Sequence, residues 1–199
     1  HKFKKNVTYV TIYFVAIVTI INTNFFPVIS LTDASYNQQV QASNNVVTIY
    51  DVIAQANSSS NNNSKYSLDK FEEALKAADL KKTLSDKNRQ FTVFAPSDDA
   101  FVSLGKGSLE KLLKKKKKLR SIMSYHIIPN AIIDFKDFKN SESPSAFMWP
   151  FEGNQPVKIN IHTKSIEVKD AKIIEQDLKT SNGVIHVIDK VVFPSGVRL

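Results

Sequence analysis

Four groups of residues in this chain carry side chains that could do chemistry. Tyr125-His126 sets a phenol beside an imidazole. His186 and Asp189 pair an imidazole with a carboxylate three residues on. On a strand, that spacing puts the two side chains on opposite faces, so they cannot act as a pair. Asp98-Asp99 offers two adjacent carboxylates. They follow Ser97, which stands where a helix N-cap belongs, and carboxylates in a first helical turn meet the positive end of the helix dipole. Helix-start electrostatics explains them better than acid–base catalysis does. The fourth group is cationic: Lys111, Lys114, Lys115, Lys116, Lys117, Lys118 and Arg120 form the densest charge in the chain.

No catalytic, metal or cofactor site follows from these groups. Among the 199 residues there are four histidines and no cysteine, and no two histidines have ligand spacing. Neither a Gly-x-Ser-x-Gly elbow nor a His-Glu-x-x-His motif is present. Tyr125 and His126 are weighed as a ligand-binding pair against a structural histidine that satisfies a buried backbone group. For His186 the structural reading is the stronger one. The lysine run reads either as a solvated face or as an electrostatic contact to anionic glycan, wall polymer or lipid headgroups. Nucleic acid is a poor fit, since no aromatic residues interleave with the lysines.

The elements that must hold these groups begin after an apolar N-terminal stretch. Lys2, Lys4 and Lys5 precede fifteen uncharged residues, Val7 to Ile21. A basic cluster before an apolar segment reads as a Sec-type export signal over residues 1–34, with Thr32-Asp33-Ala34 as the cut. An uncleaved anchor is the alternative, because Asn6 to Leu31 is uncharged for 26 residues. Both readings place the rest outside the cell. Cleavage takes away three lysines and one aspartate and reduces the net charge from +8 to +6. Residues 35–46 are polar and read as a spacer. One folded domain is expected over 47–196. Asn57 and Asn62 open glycosylation sequons inside the Asn/Ser-rich loop 57–64.

Within the domain, Thr48 and Asp51 suggest a capping box before a short amphipathic helix. Ser67 is expected to cap a second helix carrying Leu68, Phe71, Leu75 and Ala78. Phe91 to Ala95 alternates as a strand stopped by Pro96, with Phe101 on the helix that Ser97 starts. Gly105 and Gly107 end that helix. The next helix should bend or break inside the lysine run. Tyr125 to Pro129 reads as a strand, and Asn130 as a position that takes positive φ. Residues 141–156 are hard to read, and Phe147-Met-Trp-Pro-Phe151 is an apolar cluster of no clear form. Strands return at Val157–His162, Ile166–Lys169, Lys172–Glu175 and Val184–Phe193, with Asn182-Gly183 as a hairpin turn.

Three of these patterns, in this order, resemble one family. Phe91-Thr-Val-Phe94-Ala95-Pro96-Ser-Asp98-Asp-Ala-Phe101 is similar to the first motif of fasciclin-type (FAS1) domains. Tyr125-His126 is similar to its central pair. Asn182-Gly183-Val-Ile-His186-Val-Ile-Asp189 is similar to its second motif, with Asp177 at the usual upstream acidic position. The resemblance implies an α+β fold, a β-sandwich or wedge of about seven strands with helices packed alongside. It also implies a non-catalytic extracellular or cell-surface adhesion module without a cofactor, whose partner is a matrix, wall or cell-surface component. A structural matrix or spacer protein is the alternative, and an extracellular polymer-acting hydrolase or lyase a more distant one. In some members the region of the Tyr-His pair contacts receptors.

Overall fold

The chain's last strand lies parallel to its first, and this pairing joins a helical first half to a stranded second half. The computed structural model describes residues 47–56 and 65–199. These fall in one compact unit, Asn45–Leu199. The expected export signal, spacer and sequons at Asn57 and Asn62 lie outside the described residues.

The first half is α1 (Ile49–Gln55), α2 (Asp69–Ala77), α3 (Lys81–Leu84), β1 (Phe91–Pro96), α4 (Asp98–Val102), α5 (Ser108–Leu113) and α6 (Lys116–Ser124). The second half is β2 (Ile127–Pro129), α7 (Phe135–Lys139), β3 (Ser145–Met148), β4 (Val157–Ile161), β5 (Ile166–Val168), β6 (Ala171–Thr180) and β7 (Gly183–Ile188). The strands form one seven-stranded mixed sheet in the order β2-β1-β7-β6-β5-β4-β3. β1 and β7 pair in parallel, from Phe91 opposite Gly183 to Pro96 opposite Ile188. The other pairs are antiparallel. The expected α+β wedge of about seven strands is the fold observed.

Two buried clusters show how the sheet is used. Phe91, Val93, Ala95, Ile127, Ile185 and Val187 face the helices, against Ile53, Phe71, Leu75, Leu119 and Ile122. Phe94, Ile128 and Ile188 face the other way and meet Val157, Ile159, Ile166 and Val168 of the far strands. β1 and β7 are therefore buried along their whole length. Such strands read as continuous apolar runs because both faces are covered.

Several local expectations hold. The Thr48 capping box forms, with Thr48 N–H donating to Asp51 Oδ2 at 2.8 Å. Ser97 accepts from Ala100 N–H at 3.3 Å. Asn130 takes φ 58°. The helix in the lysine run breaks between α5 and α6, at Lys114 and Lys115.

Others are corrected. Ser67 does not cap α2 by its own side chain; Asp98 Oδ1 accepts from Lys70 N–H at 2.9 Å and caps it from α4. Gly107 is the N-cap of α5 in the left-handed region, so it starts a helix rather than ending one. Tyr125 ends α6 instead of opening a strand, because its N–H closes the last helical turn. The 147–151 cluster is resolved into edge strand β3 and the turn after it. β6 is ten residues long, kinked by register shifts around Glu175. β7 stops at Ile188, short of the expected Phe193. The two-residue turn is Ser181-Asn182, and Gly183 already belongs to β7.

Gly183 is fixed by a close approach. A Cβ built there would stand 1.9 Å from the Phe91 carbonyl oxygen and 2.8 Å from Ile49 Cδ1, at φ 155°. Neither backbone can yield without breaking the parallel register. Gly183→Ala is expected to cost about 3 kcal/mol or more in urea unfolding, from overpacking and backbone strain together. Gly196→Ala meets nothing within 4 Å. It should cost only about 1 kcal/mol, the penalty for a side chain at positive φ.

Candidate functional site

The Tyr125-His126 pair sits where α6 turns into β2. His126 is fully buried. Its Nδ1 lies 2.8 Å from the Ile122 carbonyl oxygen, and its Nε2 accepts from Val192 N–H at 3.1 Å. Those two partners fix the tautomer: Nδ1 carries the proton and Nε2 the lone pair. Burial holds the imidazole pKa down to about 4. Tyr125 is buried too, donating its hydroxyl proton to the Pro156 carbonyl at 2.9 Å. Both side chains therefore face inward and bind their own backbone.

His186 repeats the arrangement on the other side of the sheet. Its Nε2 lies 2.8 Å from the Ile133 carbonyl and its Nδ1 accepts from Asp177 N–H at 3.3 Å. The ring stacks on Phe94 at 5.8 Å and meets Phe138 edge-on at 6.1 Å. Burial lowers its pKa, opposed by the Ile133 carbonyl and the nearby Asp177 carboxylate. Asp177 takes φ 61°, and its Oδ1 accepts from Phe135 N–H at 2.8 Å. Asp189 accepts from Lys172 N–H at 2.7 Å. His186, Asp177 and Asp189 are thus each tied to backbone.

Asn182 is the most connected of them. Its Oδ1 accepts from Ile49 N–H at 2.8 Å, and its Nδ2 donates to the Leu84 and Asp86 carbonyls at 3.0 Å each. One buried amide thus ties the start of α1 and the end of α3 to the β6–β7 turn. The Asn-Gly dipeptide signals a turn locally, but nothing near it in sequence points to these distant partners.

The cations separate into two sets. Arg120 is half-buried and committed to partners within the domain. Its guanidinium makes a bidentate pair with Glu152, with Nε to Oε2 at 2.9 Å and Nη2 to Oε1 at 2.6 Å. Its Nη1 donates to the Ala78 carbonyl at 2.7 Å. Lys116 pairs with Asp79 at 2.5 Å on the surface. Lys111, Lys114, Lys115 and Lys117 are exposed and Lys118 is half-buried. Among the described residues, no ion pair joins these five to a carboxylate. Lys116, Arg120 and Lys82 all act on Asp79, and Lys116 foremost keeps its carboxyl below the usual range. The α5–α6 corner therefore presents a positive surface that continues onto α3.

A shallow cleft of about 320 Å³ lies between the α3–β1 loop and the β6–β7 turn, with Lys87, Arg89, Asn130 and Asn182 in its walls. A smaller one of about 100 Å³ lies beside Tyr125 and Glu152. Among the described residues, no group of three or more His, Asp or Glu is placed to hold a metal ion. Nor is any helix among them long and apolar enough to cross a membrane.

These features define a class: an α+β wedge whose two sequence motifs hold helices and loops to the central strands. The chain belongs to the fasciclin-domain family, whose profile, described as Fasciclin domain, matches residues 66–194. It is 38% identical over 123 residues to protein sll1483 of Synechocystis sp., covering 61% of this chain and 64% of that protein. It is 32% identical over 125 residues to human periostin, covering 63% of this chain and 14% of periostin. The chain thus matches less than two thirds of the length of either relative. A solved pair of FAS1 domains from the insect cell adhesion molecule fasciclin I shares the fold, with a TM-score of 0.57 at 20% identity. That likeness covers 64% of this chain and 47% of the other.

The buried imidazole gives a pH dependence of known sign. Its folded pKa of about 4 lies below the unfolded value of 6.5. The unfolded chain therefore binds the extra proton first as pH falls, and stability drops from pH 6.5 toward 4. For His126 alone the loss is about 3 kcal/mol, and His186 adds to it. Urea unfolding at pH 7.5 and 4.5 should show this fall, while the His126 ring resonances keep their neutral shifts to pH 5.5. A ring that titrates near 6.5 in the folded protein contradicts the buried assignment.

Proposed function

We propose that this chain is a non-catalytic binding module of the cell surface or extracellular space, which contacts an anionic polymer or lipid headgroup through the α5–α6 lysine corner. The observation that carries this reading is the exposure of Lys111, Lys114, Lys115 and Lys117 where the helix breaks, with no carboxylate among the described residues paired to them. Unpaired cations clustered on one surface raise the local concentration of anionic partners. The fasciclin I likeness supports the adhesion reading, since that protein is a cell adhesion molecule. The apolar segment from Val7 to Ile21, read as an export signal or anchor, supports the location.

Tyr125 and His126 enter the proposal as supports of the surface rather than as contacts, because both are buried. Arg120 likewise positions α6 through Glu152 and Ala78. The burial of His126 and His186 argues against hydrolase or lyase chemistry at these two residues, which would need to face a cleft.

Changing Lys114 to Lys118 to Gln is the direct test. Each cation near an anionic surface contributes about 1 kcal/mol. With Lys116 partly held by Asp79 and Lys118 half-buried, the expected loss is roughly a hundredfold in affinity for acidic vesicles or an acidic polysaccharide. Wild-type binding should weaken as salt rises, and the variant should depend on salt less steeply. Equal binding by the two proteins removes the electrostatic reading.

A further inference from the structure

Among the described residues, the far edge of the sheet is open and β3 pairs with β4 alone. The ladder shows which of its backbone groups face outward. Ile161 N–H donates to the Pro144 carbonyl at 2.8 Å, in register with Ala146 opposite Ile159 and Met148 opposite Val157. On the other side of β4, Lys169 N–H donates to Lys158 and His162 N–H to Ser165, at 2.7 and 2.9 Å. Antiparallel strands alternate the direction of their hydrogen bonds. Residues 144, 146 and 148 therefore bond inward to β4. Ser145 and Phe147 point their N–H and C=O groups away from the sheet, and on that side the Ser145 carbonyl accepts from Ser143 Oγ at 2.8 Å. Phe147 and Trp149 are also the most exposed aromatic side chains among the described residues, at 64% and 62%.

Natural sheets protect such an edge with charges or bulges. Here residues 143–151, Ser-Pro-Ser-Ala-Phe-Met-Trp-Pro-Phe, carry no charge. Pro144 and Pro150 lie three residues either side of Phe147. Both occupy inward-bonding positions of the alternation, so neither removes an outward donor.

We propose that this edge is a homodimer interface, in which β3 of a second copy adds antiparallel to β3 about a two-fold axis at Phe147. Phe147 then exchanges both backbone hydrogen bonds with its own copy, and Ser145 gives up its contact with Ser143 Oγ to pair with Trp149 of the other chain. Phe147, Trp149 and their copies cover one another on the outer face. The occupant is a second copy because the window carries no charge, so that pairing it with itself brings no like charges together, and its two prolines stand evenly about Phe147. Lys158, beside Phe147 on β4, would lie three strand spacings from its copy. That is about 14 Å, beyond the screening length of about 8 Å at physiological salt.

The absence of cysteine allows a site-specific test on the full chain. Residues facing each other in a hydrogen-bonded antiparallel pair have Cα atoms about 5.5 Å apart, within disulfide range. Phe147→Cys should oxidise to a covalent dimer at least tenfold faster than Val102→Cys, which is equally exposed, at 63%, but lies on α4. Phe147→Pro removes an outward N–H without touching the β3–β4 ladder. It should abolish the concentration-dependent dimer seen in sedimentation while leaving the circular dichroism spectrum unchanged. Phe147→Lys and Phe147→Glu should each be monomeric and should pair when mixed. Equal oxidation rates at 147 and 102, a dimer that survives Phe147→Pro, or a wild-type chain that stays monomeric at all concentrations would overturn the proposal. If Phe147→Pro fails to fold, the comparison of oxidation rates still decides.

Discussion

The approach of Gly183 to the Phe91 carbonyl is the contact on which the rest of the wedge depends. β1 and β7 are far apart in sequence, so their parallel register is the long-range closure of the fold. Loop entropy opposes such a pairing until enough contacts form to offset it. Gly183 removes the side chain that would hold the strands apart. Asn182, one residue earlier, binds Ile49, Leu84 and Asp86. Closure of the strands and docking of α1 and α3 thus meet at a single turn. Both apolar clusters share β1 and β7, so a slip in this register would unseat both.

The two buried histidines solve a related problem. Segments that leave the sheet still carry backbone donors and acceptors, and each left unpaired in the interior costs about 1–3 kcal/mol. A neutral imidazole has one donor and one acceptor on opposite sides of a rigid ring. His126 uses them to bridge the Ile122 carbonyl and Val192 N–H, and His186 to bridge the Ile133 carbonyl and Asp177 N–H. Protonation would turn each acceptor into a second donor facing an N–H. The side chains that look most like catalytic machinery in the sequence are therefore held neutral by their structural task.

The parts legible in the sequence were those with local causes. The Thr48 capping box, the Ser97 cap, the positive φ of Asn130 and the break in the lysine run follow from residues within a turn of one another. The three motifs led to the α+β wedge because their order carried the family pattern. What escaped was set by distant partners. Asp98 read as a helix-start carboxylate, yet it caps α2, since its backbone lies against Ser67. Arg120 read as one more cation of the run, yet Glu152, far along the chain, holds it inward. β7 read as a longer strand because Val191 and Val192 are apolar, but these residues fill the two clusters from a non-sheet segment. Phe147 to Phe151 was opaque because an edge strand buries only one face, and its alternation is broken by prolines.

The lysine corner is where local preference and global fold disagree. α6 begins with Lys116, Lys117 and Lys118 and has no acidic residue in its first turn. Cations at that end oppose the helix dipole by about 0.3–1 kcal/mol each, and like charges one turn apart repel. An acidic or neutral first turn would suit the helix better. The helix forms all the same, because Leu119, Ile122 and Met123 are buried against the first cluster and Arg120 is clamped to Glu152 and Ala78. Packing below thus carries an unfavourable charge arrangement above. Exposed residues that work against their own helix contribute nothing to its stability, and conflicts of this kind are expected where a surface serves a partner rather than the fold. The packed residues of the corner account for the architecture, and the outward lysines are what the proposed anionic partner would account for.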